Sequence, residues 1–435
     1  MEILFVHKEY PGQYGQIAHS LAERDGHTCT FAYSRIADRH QQALADGRPV
    51  NLGLGGPEQS EAATRVSANG DLIHRGVRLV PYRARGASAQ THTCGLHFEI
   101  SMWNNQGALD AVRARPEIRP DLIVGHSFFG NALFLADYFR CPLLAYCEYF
   151  YRPHGSELDF RPEFPPTEQD RRMHRTYNAT TLLNLEAATA GISPTEWQRS
   201  TFPAEYRPKI RTIFDGIDRT FWYRRRGPLR SIAGRPIPPG TPVVTYVSYG
   251  FEPTRGFDIF MRVADRICAA RDDVIFVVVG ADRTYYGRAA NDPSARTFRE
   301  QVLAERPYNL DRFLFTGQIL EEDLVRILSR SDLHIYLTTP FVLSWSMMNA
   351  LACGCTVLAS ATPPVLEMIA HGENGLLAGF DDVEGLADEA LRVLDNPEAF
   401  RYLGRAAERM IDERYSVEAV LPRIASLYEE IARSV

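Results

Sequence analysis

Short apolar runs alternate with helical patterns along the whole chain, and that alternation restricts the fold most. In the first half the runs are MEILFVH at the N-terminus, TCTFAY, VRLVPY (77–82), DLIVGH (121–126) and CPLLAYCEY (141–149). In the second they are TPVVTYVSY, DVIFVVVG, RFLFTG, DLHIYLT and TVLAS. Strands apolar on both faces belong in parallel sheets covered by helices on both sides. The intervening patterns supply those helices, from IAHSLAERDG, which stops at Gly26, to a long helix running from Pro166 through Ala190. Between the halves, RRRGPLRSIAGRPIPPGTP (224–242) is dense in Arg, Pro and Gly and is the best candidate linker. The expectation is two doubly wound α/β domains, over 1–218 and 219–410, with 411–435 as a final helix. At 435 residues the chain is too long for one core.

Composition removes several function classes. A net charge of −6 argues against nucleic acid or an anionic membrane surface as the main partner. Only two of the 48 basic residues are lysines, Lys8 and Lys209, a bias that fits a GC-rich bacterial genome better than any mechanism. The seven cysteines are odd in number and contain no CxxC pair, so they read as small buried hydrophobes in a reducing compartment. The start lacks a signal-peptide pattern, and no apolar run approaches the roughly 18–20 residues that span a bilayer. A soluble cytoplasmic protein is expected.

The stretch FVLSWSMMNALACG (341–354) places hydroxyls at a helix start, Ser344 and Ser346, with Asn349 one turn inside. Free backbone N–H groups there make an anion site. PGQYG (11–15) lies between the first strand and first helix, where backbone N–H groups meet a phosphate or simply close a tight turn. His126 ends a strand on the side where open sheets bind ligands; a structural histidine is the rival reading. In SYGFEPTRGFD (248–258), Arg255 is a diphosphate clamp or a solvated surface arginine. GLGG (53–56) lacks the GxGxxG spacing and carries no dinucleotide reading. The Asp272-Asp273 and Asp381-Asp382 pairs read as helix caps, so no metal is assigned. No GxSxG elbow points to a hydrolase.

The run ALACGCTVLAS…PPVLEMIAHGENGLLA (350–378) resembles the family 4 retaining glycosyltransferases of the GT-B fold. TFP…IRTIFDGID, HKEYPGQYGQIAHSLAERDGH, YCEYFYRPHGSELDFRPEFP and EPTRGF carry the likeness over nearly the whole chain. The resemblance implies two Rossmann-like domains facing across a cleft, the first taking the acceptor and the second the donor. The final helix returns to the first domain. It implies His126 and Arg255 as catalytic residues, and Gly12, Gly250, Arg255, Ser344, Trp345 and Asn349 around the donor. Gln13, Thr91, His92, Glu99 and Glu148 face the acceptor. The family's Glu-x7-Glu pair falls on Phe341 and Asn349, so neither carboxylate is present, and the first clamp arginine is replaced around Tyr249 and Gly250.

These residues imply sugar transfer from a pyrophosphate-activated donor, a nucleotide sugar being favoured and no cofactor required. The acceptor is a small polar or saccharide molecule, an aminoglycoside-like compound being one reading. Three alternatives stay open: transfer from phosphoribosyl pyrophosphate, with Mg2+ as its companion, a GT-B sugar epimerase, and a homologue without catalysis.

Overall fold

The computed structural model describes residues 1–34, 64–67, 70–129, 131–227, 229–285 and 296–434, so GLGG lies outside the described residues. The chain forms two compact units. The first gathers Met1–Pro153, Thr167–Gly216 and Val417–Val435; the second gathers His154–Pro166 and Ile217–Ser416. His154–Pro166 falls inside the span read from sequence as the first domain, yet it groups with the second unit.

The first unit is built on nine strands: β1 (Glu2–Val6), β2 (Thr28–Tyr33), β3 (Thr64–Val66), β4 (Leu72–His74), β5 (Val77–Pro81), β6 (Leu122–His126), β7 (Leu143–Tyr146), β8 (Ala190–Ser193) and β9 (Ile210–Thr212). Their spatial order is β3-β4-β5-β2-β1-β6-β7-β8-β9. From β5 to β9 every pairing is parallel, as continuous apolar strands require. The β3-β4-β5 edge is antiparallel, unlike the all-parallel expectation. The two-residue loop Arg75-Gly76 accounts for the β4-β5 pairing: φ is 46° and 79°, both left-handed, as a tight hairpin turn requires. Helices α1 (Gly15–Arg24), α2 (Leu96–Arg113) and α3 (Glu168–Ala187) accompany this sheet.

The second unit adds a small ribbon, β10 (Ser231–Ile232) with β11 (Arg235–Pro236), and six parallel strands: β12 (Val243–Gly250), β13 (Ile275–Ala281), β14 (Phe313–Gly317), β15 (Leu333–Tyr336), β16 (Val357–Ser360) and β17 (Leu376–Ala378). The order β14-β13-β12-β15-β16-β17 is the doubly wound 3-2-1-4-5-6 arrangement. The segment read as a linker is no loose tether, because Ile232 and Ile237 are buried with Val243, Val277 and Ile327. Helices α4 (Phe257–Ala270) and α5 (Trp345–Ala352) flank this sheet. Asp382 does cap a helix, accepting from Gly385 N at 2.9 Å, whereas Asp273 pairs with Arg271.

Helix α6 (Val417–Ala432) belongs to the first unit, where it packs on α1 and buries Leu427, Tyr428 and Ile431. All seven cysteines are free, and Cys29, Cys147, Cys353 and Cys355 are buried. Among the described residues no helix is long and apolar enough to cross a membrane.

A methyl group on Gly125, beside His126 in β6, would meet the Ala132 side chain at 2.4 Å. In a close-packed interior that overlap forces backbone movement. Gly125→Ala is expected to destabilise the protein by about 1–3 kcal/mol, read as a lower urea midpoint; an unchanged midpoint counts against the crowding.

Candidate active site

Open α/β sheets bind ligands beyond strand carboxyl ends, where the winding reverses. That point lies between β1 and β6 in the first unit and between β12 and β15 in the second. Most of the candidate residues lie near one or the other, and Thr91, His92 and Glu99 do not.

In the first unit, His7 follows β1 and is buried. Gly12 has φ +51°, and a Cβ there would meet His7 Nδ1 at 2.6 Å, so the turn lies flat on the imidazole and glycine alone fits. Gln13 Nε2 donates to Glu148 Oε1 at 3.1 Å. The other carboxylate oxygen lies 3.5 Å from His126 Nε2, which makes no aligned hydrogen bond there. His126 Nδ1 accepts the Phe128 N–H at 3.2 Å, which leaves a proton on Nε2, toward Glu148. Lys8 Nζ stands 4.0 Å over the Phe129 ring, and that ring lies 4.4 Å from the His126 ring.

Burial pushes the Glu148 carboxyl up, but His126, Gln13 and Lys8 outweigh it and hold the pKa below the usual value. Its side chain is 26% exposed, so the anion reaches solvent. Burial lowers His7 far below its ordinary value, helped by neighbouring His126 and Lys8. His97 of α2 bonds Phe128 O through Nε2 at 2.9 Å and stacks on the Phe128 ring at 4.0 Å. Burial brings its pKa to about 4. The site therefore sets an anionic Glu148 beside neutral His7 and His97.

His92, on the loop before α2, and Glu99, in the first turn of α2, form a separate group. His92 is exposed, and its Nδ1 accepts the Cys94 N–H at 3.2 Å. Glu99 accepts the Thr91 hydroxyl and the Ser88 N–H, the latter at 3.1 Å, and these bonds lower its pKa. Its two oxygens thus each hold a residue of the preceding loop. His97 ties that helix to Phe128 and so to the His126 turn.

In the second unit, Arg255 Nη1 donates to Thr338 Oγ1 at 2.8 Å, to Val342 O at 3.0 Å and to Tyr336 Oη at 3.4 Å. Tyr336 Oη also accepts the Ser344 N–H at 3.0 Å. Ser344 caps α5, its Oγ accepting from Ser346 N at 3.2 Å. Arg255 and the α5 start thus share one hydroxyl. Trp345 is 40% exposed at that start, and Asn349 is nearly buried one turn on. Phe341 is buried, its ring 5.6 Å from the Arg255 guanidinium carbon. Gly250 ends β12, paired with Ala281. A Cβ on it would meet Arg283 O at 2.2 Å, so close backbone approach accounts for this glycine.

Residues 58–221 match the model of the glycosyl transferase family 4 group, and residues 231–410 match glycosyl transferases group 1. The chain is a family 4 glycosyltransferase. It is 28% identical over 123 residues to N-acetyl-alpha-D-glucosaminyl L-malate synthase of Bacillus anthracis, covering 28% of this chain and 32% of that one. It is 23% identical over 174 residues to 2-deoxystreptamine N-acetyl-D-glucosaminyltransferase of Niallia circulans, covering 40% and 42%. The matched stretches thus span less than half of either relative. Anabaena Alr3699/HepE, solved in complex with UDP and glucose, superposes over 99% of both chains with a TM-score of 0.63 at 15% identity. The glycosyltransferase has the GT-B architecture.

Sequence reading of this glycosyltransferase missed His7, Lys8, Tyr336 and Thr338. Each stands at or just past the carboxyl end of β1 or β15, so the strand-end rule that singled out His126 would have found them.

One pH dependence follows. Unfolded histidine titrates near 6.5 and His97 near 4, so between those values the unfolded chain binds more protons. Stability then rises with pH over that window and is lost on acidification. His97→Gln keeps an N–H donor for Phe128 O and is expected to flatten the fall in Tm between pH 6.5 and 4; an identical slope would refute the linkage.

Proposed function

We propose that this glycosyltransferase moves a sugar from a nucleoside-diphosphate donor to a hydroxyl of a small polar acceptor, with retention at the anomeric carbon. The observation that carries the reading is the Arg255 guanidinium, fixed by Thr338 and Val342 beside the Ser344-capped helix start. Cation and helix dipole are arranged for a diphosphate. The bond between the anomeric carbon and the diphosphate oxygen breaks, and the leaving group takes the electron pair. Arg255 and the backbone amides at the α5 start neutralise that charge as it develops. The acceptor oxygen bonds the anomeric carbon from the same face, and its proton passes to the departing phosphate oxygen.

Relatives named for N-acetylglucosaminyl transfer, and a neighbour solved with UDP, support a uridine donor. On the acceptor side, the partly exposed Glu148 anion suits an ammonium or hydroxyl group. An amino-bearing acceptor is in keeping with the relative named for 2-deoxystreptamine. Asn349 stands in place of a ribose-gripping glutamate and offers neutral hydrogen bonds instead.

Calorimetric titration with UDP, together with transfer assays from UDP-N-acetylglucosamine, tests the reading. Arg255→Ala is expected to remove about 2–4 kcal/mol of transition-state stabilisation with little change in Tm; retention of more than half the wild-type rate would remove Arg255 from the mechanism. Asn349→Glu is expected to preserve or tighten UDP binding by restoring a charge-assisted contact. Weakened UDP binding, or tighter wild-type binding of phosphoribosyl pyrophosphate, favours the phosphoribosyl alternative.

A further inference from the structure

Arg161 poses a problem that the proposed reaction leaves unanswered. It is 5% exposed, and it meets Asp258, itself 1% exposed, through two parallel hydrogen bonds of 2.7 Å. Its Nη1 also donates to Pro253 O at 2.9 Å, and Nε donates to Glu163 Oε1 at 2.8 Å. The guanidinium carbon lies 4.7 Å from the Phe164 ring and 5.2 Å from the Phe380 ring. Burying a pair of charges confers little stability against an apolar pair of similar shape, but it imposes a defined geometry. The question is what geometry this pair imposes.

The partners answer it. Pro253 opens the short turn Pro253–Arg255, and Asp258 lies in the first turn of α4. Pro253 O accepts the Gly256 N–H at 3.0 Å as well as the Arg161 bond, so one carbonyl closes the turn and anchors it. Gly256 has φ +62°, and a Cβ there would meet Leu337 at 2.8 Å, which pins the far side of the same turn. Arg161 thereby holds the Pro253 carbonyl on one side of Arg255 and the Asp258 carboxylate on the other, from a segment more than 90 residues away in sequence.

We infer that Arg161 is a positioning residue for Arg255: its bonds to Pro253 O and Asp258 set the turn that aims the clamp guanidinium. Lysine cannot replace it, because an ammonium lacks the planar fork that serves a carboxylate and a carbonyl together. Methionine keeps an unbranched apolar stem of similar length and loses every bond. The ligand arm of the test rests on the diphosphate-donor reading; the exchange arm does not.

Hydrogen–deuterium exchange and UDP titration on the full chain test the inference. Arg161→Lys and Arg161→Met are expected to accelerate amide exchange across 252–258 at least tenfold, while β15 and β16 keep wild-type rates. UDP affinity is expected to fall about tenfold in Arg161→Lys and no further when Arg255→Ala is added to it. Acceleration spread evenly over the second unit, unchanged exchange at 252–258, or losses that add in the double variant would each overturn the positioning role. Should Arg161→Met fail to fold, Arg161→Lys with its retained charge decides the matter. If the wild type binds no UDP, the donor reading falls, and the exchange pattern alone decides for or against Arg161.

Discussion

The hydroxyl of Tyr336 holds the second unit's site together. It accepts the Ser344 N–H at 3.0 Å and stands 3.4 Å from Arg255 Nη1, so one atom fixes a cation and a helix start relative to each other. A flexible arginine loses much of its rotamer freedom on meeting an anion. Here Thr338 Oγ1 and Val342 O have already taken that freedom. Preorganised charge requires no reorganisation at the moment of bond breaking, which gives it more weight than the same charge in water.

The Phe341 position bears on the same guanidinium. A buried carboxylate in that place would pair with Arg255 and offset its charge. A phenylalanine ring 5.6 Å away presents a quadrupole instead, a weaker attraction. Phe341 and Asn349 are both uncharged, so neither position adds a carboxylate near the start of α5.

Much of the architecture was legible because apolar strands and helical periodicity are local signals. MEILFVH, DLIVGH and DVIFVVVG are strands whose continuous apolar centres are buried on both faces. The sheet order was not legible, since hydrogen bonding between β12 and β15 joins segments almost 90 residues apart. The antiparallel edge turned on Arg75 adopting a positive φ, which no residue type announces. In the site, Arg255 and Ser344 could be picked out by type and place, but the Tyr336 hydroxyl that joins them could not. Gly250 was marked as a ligand contact, and close approach of Arg283 O explains it. Arg161 is the opposite case: no local pattern singles it out, and only tertiary packing shows an arginine buried against Asp258.

The order in which the chain contributes to each unit also governs how it is made. The first unit needs Val417–Val435, a segment synthesised after everything the second unit uses. Until then Leu427, Tyr428 and Ile431 are missing from the surface that α1 and β6 present. The second unit draws on Ile217–Ser416 and the earlier His154–Pro166, all synthesised before that helix. Domains fold as their sequence becomes complete during synthesis. The second unit can therefore finish before the first, although Met1–Pro153 is synthesised earlier, and translation that stops near residue 416 yields a folded second unit and an incomplete first one.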